Sequence, residues 1–179
     1  MILILVAVKE ELSRKDLPNF QIHYTGVGKI NASIKTLEII KDHSPTQIIN
    51  YGTAGSLNKK LKGLVEVTQF FQRDMDVSPL GFKIGQTPFD DVEEIKFGNG
   101  GLSCGTGDSF VIQTPKLKTD LVDMEAYAIA KICYLKDIKF RCFKYISDYA
   151  DGVANDDWIK NVSMGKKLFI KRITDLAIY

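Results

Sequence analysis

Apolar positions in this chain follow two rhythms. Ile2 to Val8 is a continuous apolar run rich in branched residues, the pattern of a strand buried on both faces, and it predicts a central strand. Ile48 to Tyr51 reads the same way and runs into Gly52-Thr53-Ala54-Gly55-Ser56, which allows two readings, a strand exit presenting backbone N–H and hydroxyl donors to a ligand or only a turn. Val65 to Phe71 alternates around Glu66, Thr68 and Gln69, and an extended run covers Phe140 to Ser147. Between these lie helical spacings. Ile30, Ile34, Leu37 and Ile40 recur at three and four residues and predict a helix resting on that stripe. A central helix follows Glu125, with Met124, Ala128, Ile129 and Cys133 toward a sheet, and Trp158, Val162, Leu168, Phe169, Ile173 and Leu176 predict one closing helix. Strands alternating with helices predict an α/β fold with a largely parallel sheet.

Irregular stretches punctuate this pattern. A short piece after Glu11 is stopped by Pro18, and residues 73–108 carry Pro79, Gly81, Gly85, Pro88, Gly98, Gly100 and Gly101, which mark loops. Phe82 and Phe89 sit in that polar stretch as loop anchors or contacts for a ligand or partner. Asp90, Asp91, Glu93 and Glu94 lack the spacing of a calcium loop and read as a solvated segment. Asp151, Asp156 and Asp157 read as turn and helix-cap residues.

Three acids stand just beyond apolar runs: Glu11, Glu125 and Asp148. Ligands in α/β sheets bind outside the carboxyl ends of strands, so these positions predict one cleft. The alternative is structural: Glu11 and Glu125 as helix N-terminal acids and Asp148 as a turn cap. Gly26 and Gly28 likewise allow two readings, a backbone cradle for an anion or a tight strand-to-helix turn.

Composition narrows the chemistry. With 179 residues, 45% hydrophobic and 26% charged, the chain reads as one domain with a sizeable core. A net charge of +2 spread along the sequence gives no basic stripe for nucleic acid. Cys104, Cys133 and Cys142 are odd in number without CxxC spacing, so neither a disulfide framework nor a zinc site is expected. Met1 to Val8 lacks a basic lead and meets Lys9-Glu10-Glu11, and no run has the roughly 20 apolar residues of a membrane span. A cytoplasmic protein with no membrane partner is expected. There is no Walker loop and no GxSxG elbow, and His23 and His43 lack a suggestive setting. Acid-assisted cleavage of a glycosidic bond needs carboxylates and little else.

The stretches Val6-Ala7-Val8-Lys9-Glu10-Glu11-Leu12, Gly26-Val27-Gly28-Lys29-Ile30-Asn31-Ala32, Asn50-Tyr51-Gly52-Thr53-Ala54-Gly55, Gly107-Asp108-Ser109-Phe110, Val122-Asp123-Met124-Glu125-Ala126 and Ile146-Ser147-Asp148-Tyr149-Ala150-Asp151 resemble, in order, the signatures of the purine nucleoside phosphorylase and nucleosidase superfamily. The methylthioadenosine/S-adenosylhomocysteine nucleosidases are most similar. The resemblance implies a single-domain three-layer α/β fold over residues 1–179 with a mixed, largely parallel sheet, shortened relative to the family between Pro88 and Leu102 and between Val111 and Leu121. It implies that Asp148 protonates purine N7, that Glu125 holds ribose hydroxyls with Met124 against the sugar, and that Glu11 is the general base for water. Phe110 would stack on the base, Val111 would read its edge, and Thr53, Gly55 and Ser147 would line the site. Lys144 stands where the nucleosidases have an arginine near the water. Leu80 and Phe82 belong to a loop that in the family covers the neighbouring subunit's site, so a homodimer is expected. A purine nucleoside is the implied substrate, and no metal or organic cofactor is implied. Arginines that phosphorylases place near Gly28 and before Gly52 are replaced by Lys29 and Asn50, which favours water over phosphate. Alternatives are a futalosine-type or other purine nucleosidase, a phosphorylase, and a nucleoside-binding protein that has lost turnover.

Overall fold

Alternation along the first strand sets the layering. In β1 (Ile2–Val6), Leu3 and Leu5 turn to one core, and Ile4 and Val6 turn to another. The computed structural model describes residues 1–92 and 94–177. After β1 come β2 (Gln21–Tyr24), α1 (Lys29–His43), β3 (Gln47–Ser56), β4 (Leu64–Gln72), β5 (Ile95–Lys96), β6 (Leu102–Thr106), β7 (Leu121–Asp123), α2 (Ala126–Leu135), β8 (Lys139–Asp148), α3 (Ala154–Asn161) and α4 (Lys166–Ala177). The first core joins Leu3 and Leu5 to Ala32 and Ile39 of α1 and to Ile129, Ala130 and Cys133 of α2. The second sets Ile4 and Val6 against Tyr51, Phe143, Phe169 and Ile173, with the Tyr51 and Phe169 rings stacked at 4.1 Å. Each fully buried aliphatic side chain stabilises by about 1.5–3 kcal/mol over an exposed one, so both layers of helices are held to the sheet.

The sheet is mixed. β1 pairs in parallel with β2 and β3, β3 with β8, β4 with β6, and β6 with β7; β3–β7, β4–β5 and β4–β8 are antiparallel. Because β8 pairs with both β3 and β4, the strands β3, β7, β6, β4 and β8 form a closed circuit. That closure places the ends of the parallel strands β3 and β8 beside the short antiparallel β7, with Gly55 opposite both Val122 and Asp148. It depends on pairings between distant strands, which local periodicity does not encode.

Four expectations need correction. Gly52–Ser56 is no turn: β3 continues through it, pairing up to Gly55 with Asp148. The closing helix is two helices, interrupted at residues 162–165. A side chain on Gly165 would place its Cβ 2.4 Å from Tyr145 Cβ, so a glycine is needed where the chain crosses β8. Of the predicted stripe of α1, Ile40 alone packs on the core. Ile30 is 72% exposed and Ile34 and Leu37 are also exposed, whereas Ala32, Thr36 and Ile39 are buried. β1 ends at Val6, stands second from the sheet edge rather than centrally, and is bordered by β2, for which the sequence gives only weak alternation. Glu93 of the acidic loop segment lies outside the described residues; Asp90 there is tied to Lys131.

Candidate active site

A cavity of about 220 Å³ lies where β1, β3, β7 and β8 end. Its lining includes Glu11, Thr53, Gly55, Phe110, Val111, Met124, Glu125, Ser147 and Asp148, so the structure brings together nine of the twelve residues singled out by resemblance. Each acid arrives by a different local device.

Glu11 sits on the turn that follows β1, where its N–H donates to Val8 O at 3.2 Å. Its Oε1 accepts from the Thr53 N–H at 2.6 Å and the Thr53 hydroxyl at 2.8 Å. Its Oε2 is buried without a hydrogen-bond partner among the described residues. Burial raises the Glu11 pKa, against the pull of the Lys144 charge and the Thr53 hydrogen bonds. Gly52 keeps this arrangement open, since a Cβ there would lie 3.2 Å from Glu11 Oε1 and 3.4 Å from Lys144 Nζ.

Glu125 precedes the first turn of α2, and its Oε1 accepts from the Gly28 N–H at 2.9 Å. The anion that the Gly26–Gly28 backbone approaches is therefore the protein's own carboxylate. Gly28 has φ 91°, a conformation costly for any other residue. Burial, followed by the neighbouring charge of Asp123, raises the Glu125 pKa to about 8.

Asp148, at the end of β8, accepts from the Ser147 hydroxyl at 2.8 Å and from the Ala150 N–H at 2.9 Å. Burial outweighs these bonds and raises its pKa. Gly55 faces it at close quarters, because a Cβ at position 55 would fall 2.6 Å from Asp148 Oδ1. Gly55 is thus the residue that leaves room for the acid.

Phe110 and Val111 ride on a loop stitched down by charge. Arg73 donates to Gly107 O at 3.1 Å, to Ser109 Oγ at 3.3 Å and to Ser109 O. Asp74 accepts from the Asp108 N–H at 2.9 Å and pairs with Lys29 at 2.5 Å. Arg73 is the single lysine or arginine among the cavity-lining residues; its two terminal nitrogens are already engaged, and its Nε is buried without a hydrogen-bond partner among the described residues.

Three expected residues stand elsewhere. Lys144 lies behind the wall, with 1% side-chain exposure, paired at 2.8 Å with the equally buried Asp123. Burial disfavours the ammonium, but the Asp123 charge outweighs it and Lys144 titrates well above its usual range. Asp123 also accepts from the Thr106 hydroxyl at 2.5 Å and the Ala126 N–H at 2.8 Å, and although burial opposes it, Lys144 holds its pKa low. Leu80 is 72% exposed, and Phe82 packs edge-on against Phe89; neither lines this cavity. Sequence reasoning missed Asp123, Arg73 and the cavity face of Trp158. Asp123 was legible as an acid inside an apolar strand with a lysine in another, but Arg73 lay in a stretch that looked like loop.

The phosphorylase superfamily profile matches residues 21–104. A 5'-methylthioadenosine/S-adenosylhomocysteine nucleosidase of Staphylococcus carnosus is 35% identical, the match covering 73% of this chain and 69% of that protein. The nucleosidase of the same name from Haemophilus influenzae (strain PittEE) is 32% identical over 84% of this chain and 76% of its own. Among solved structures, futalosine hydrolase of Helicobacter pylori superposes with TM-score 0.88 at 21% identity, covering 98% of this chain and 96% of that one. A Helicobacter pylori methylthioadenosine nucleosidase variant, with 5'-methylthioadenosine in its active site, gives TM-score 0.88 at 21% identity over 98% and 97% of the two chains. The fold is shared with these enzymes, and at 35% and 32% sequence identity over most of both chains the protein belongs to the phosphorylase superfamily, within the family of the 5'-methylthioadenosine/S-adenosylhomocysteine nucleosidases.

Proposed function

We propose that this protein hydrolyses the N-glycosidic bond of adenine nucleosides bearing a 5' thioether, methylthioadenosine and S-adenosylhomocysteine, to adenine and the corresponding thioribose. The observation that carries the reading is the pairing of acids across one cavity. Asp148 has a raised pKa, and Glu11 has one buried oxygen, Oε2, without a hydrogen-bond partner among the described residues. Asp148 supplies a proton to N7, so that the base departs neutral. Its raised pKa keeps that proton available nearer neutrality than an ordinary aspartate would. Glu11 Oε2 holds and deprotonates the attacking water, while Oε1 is fixed by Thr53. Glu125, anchored by Gly28, meets the ribose hydroxyls, Met124 packs on the sugar, and Phe110 lies on the purine with Val111 at its edge. Ser147 orients Asp148, and Lys144 acts from behind the wall as the counter-charge for the acids.

Water rather than phosphate is the nucleophile in this reading. A phosphate dianion calls for several charge-assisted donors. Here Arg73 is engaged by the Phe110 loop, Lys29 by Asp74 and Lys144 by Asp123.

A homodimer belongs to the same proposal. Val27, Ile30, Ile34 and Leu37 form an exposed apolar stripe, and Leu80 and Phe89 are exposed nearby in sequence to Phe82. A second copy would cover such a surface and bring Leu80 and Phe82 to its neighbour's cavity. Among the described residues no helix is long and apolar enough to cross a membrane.

The test is adenine release from methylthioadenosine by the purified protein, with and without phosphate, with both products separated by chromatography. Free methylthioribose at an unchanged rate without phosphate supports the reading. A sugar phosphate formed only with phosphate would make the protein a phosphorylase, and no release under either condition would overturn turnover of this nucleoside.

A further inference from the structure

Trp158 is the only tryptophan of the chain. It lies on α3, lines the cavity, and is half-buried there. Its indole N–H donates to Thr53 Oγ1 at 2.9 Å. The Thr53 hydroxyl in turn donates to Glu11 Oε1 at 2.8 Å, and the Thr53 N–H meets the same oxygen at 2.6 Å.

The direction of this chain follows from the donor inventory. An indole nitrogen can only donate, and a hydroxyl has one proton and two lone pairs. With Trp158 filling a lone pair of Thr53 Oγ1, the hydroxyl proton is left to point at Glu11. Glu11 Oε1 then accepts two donors from one residue, which fixes the carboxylate plane and leaves Oε2 as the oxygen without a hydrogen-bond partner among the described residues. Without the indole N–H, the hydroxyl is free to turn its proton away and accept instead.

We propose that Trp158 is a positioning residue for Glu11, acting through Thr53: its N–H fixes the polarity of a Trp158–Thr53–Glu11 relay that orients the carboxylate and favours its ionised form. This rests on the reading of Glu11 as the general base, and it assigns α3 a part in the chemistry beyond walling the cavity. The other charged or titratable groups facing Glu11 are Lys144 from β8, which lowers its pKa, Glu125 from the head of α2, and Tyr51 from β3; Asp123 of β7 lies beyond Lys144 and is paired with it. None of these contacts involves the indole, so changing Trp158 leaves them in place.

The sign is fixed by chemistry. A base works when ionised, so activity is lost as pH falls through the Glu11 pKa. A donated hydrogen bond stabilises the carboxylate, and its loss moves that acid limb to higher pH.

The experiment compares wild type with Trp158→Phe, which keeps an aromatic ring and removes the N–H, and with Thr53→Val, which removes the relay hydroxyl. Expected at neutral pH is a kcat about five- to tenfold lower in Trp158→Phe, the scale of one neutral hydrogen bond, and about ten- to 100-fold lower in Thr53→Val, which removes a hydrogen bond to a charged group, with the acid limb of kcat/KM moved to higher pH in both. A change in KM alone, with the acid limb in place, would make Trp158 only a wall and overturn the proposal. A second measurement needs no turnover. As the sole tryptophan, Trp158 reports its own surroundings, and its emission in the substrate-free protein should show a pH transition that disappears in Glu11→Gln and in Thr53→Val. An emission that does not change with pH, or a transition that persists in Glu11→Gln, overturns the relay. If adenine release fails while the emission transition behaves as expected, the relay stands and the substrate assignment falls.

Discussion

The cleft floor and the outer face of α1 are opposites. The floor buries Glu11, Asp123, Glu125, Lys144 and Asp148 among apolar neighbours, whereas α1 turns Ile30, Ile34 and Leu37 to solvent. Both regions invert the usual distribution, and neither inversion helps an isolated chain to fold. Buried charges demand partners, and the floor supplies them: Asp123 for Lys144, Gly28 for Glu125, Thr53 for Glu11 and Ser147 for Asp148. No such compensation covers the α1 stripe, whose apolar atoms are simply in water. Internally satisfied polar groups mark chemistry, and uncovered apolar groups mark a surface for another molecule.

The comparison can be broken most sharply at the acid. Asp148→Asn should lower adenine release from methylthioadenosine by about 10²–10⁴-fold, the usual worth of a positioned general acid, with the fold kept by circular dichroism. Activity retained within tenfold would remove Asp148 from that role. Gly55→Ala comes next. Its Cβ would sit 2.6 Å from Asp148 Oδ1, so the carboxylate must shift, and a displacement of that kind costs about 100-fold in rate.

Stability tests the same contrast. Lys144→Met should destabilise the fold by about 3–5 kcal/mol, because Asp123 is left charged and buried; adding Asp123→Asn should restore much of the loss in thermal melts. The pH dependence has a defined sign. Glu125 titrates at about 8 in the fold against 4.5 as a free side chain, so the native state binds the extra proton between those values. Its stabilising contribution is full below 4.5 and is lost as pH rises through about 8. Glu11 and Asp148, also raised, add in the same direction. Urea midpoints should fall from pH 5 to pH 8, less steeply in Glu125→Gln. Asp123, whose pKa is lowered, acts oppositely and below its ordinary value of 3.8.

The smallest effect is expected on α1. Ile34→Lys should change monomer stability by no more than about 0.5 kcal/mol, yet shift the species seen by light scattering from dimer to monomer. A dimer unaffected by that change would move the interface elsewhere.

Local pattern determined much of this protein. The β1 run, the apolar run before Glu125, the strand ending at Asp148 and helix α2 follow from periodicity, because each element's burial is written into its own residues, whereas α1 was legible as a helix but not in the face it buries. The acids at strand exits were legible for the same reason. The ordered motifs around Glu11, Glu125 and Asp148 carried the family resemblance. Other features depend on residues far apart in sequence. Closure of the sheet through β8, the continuation of β3 across Gly52 and Gly55, and the break before Gly165 depend on what lies opposite those residues. The partner of Lys144, the anchoring of Glu125 by Gly28 and the link from Trp158 to Thr53 join residues 21, 97 and 105 positions apart. A sequence states which side chains can donate, accept or carry charge, but only the packed chain decides which of them meet.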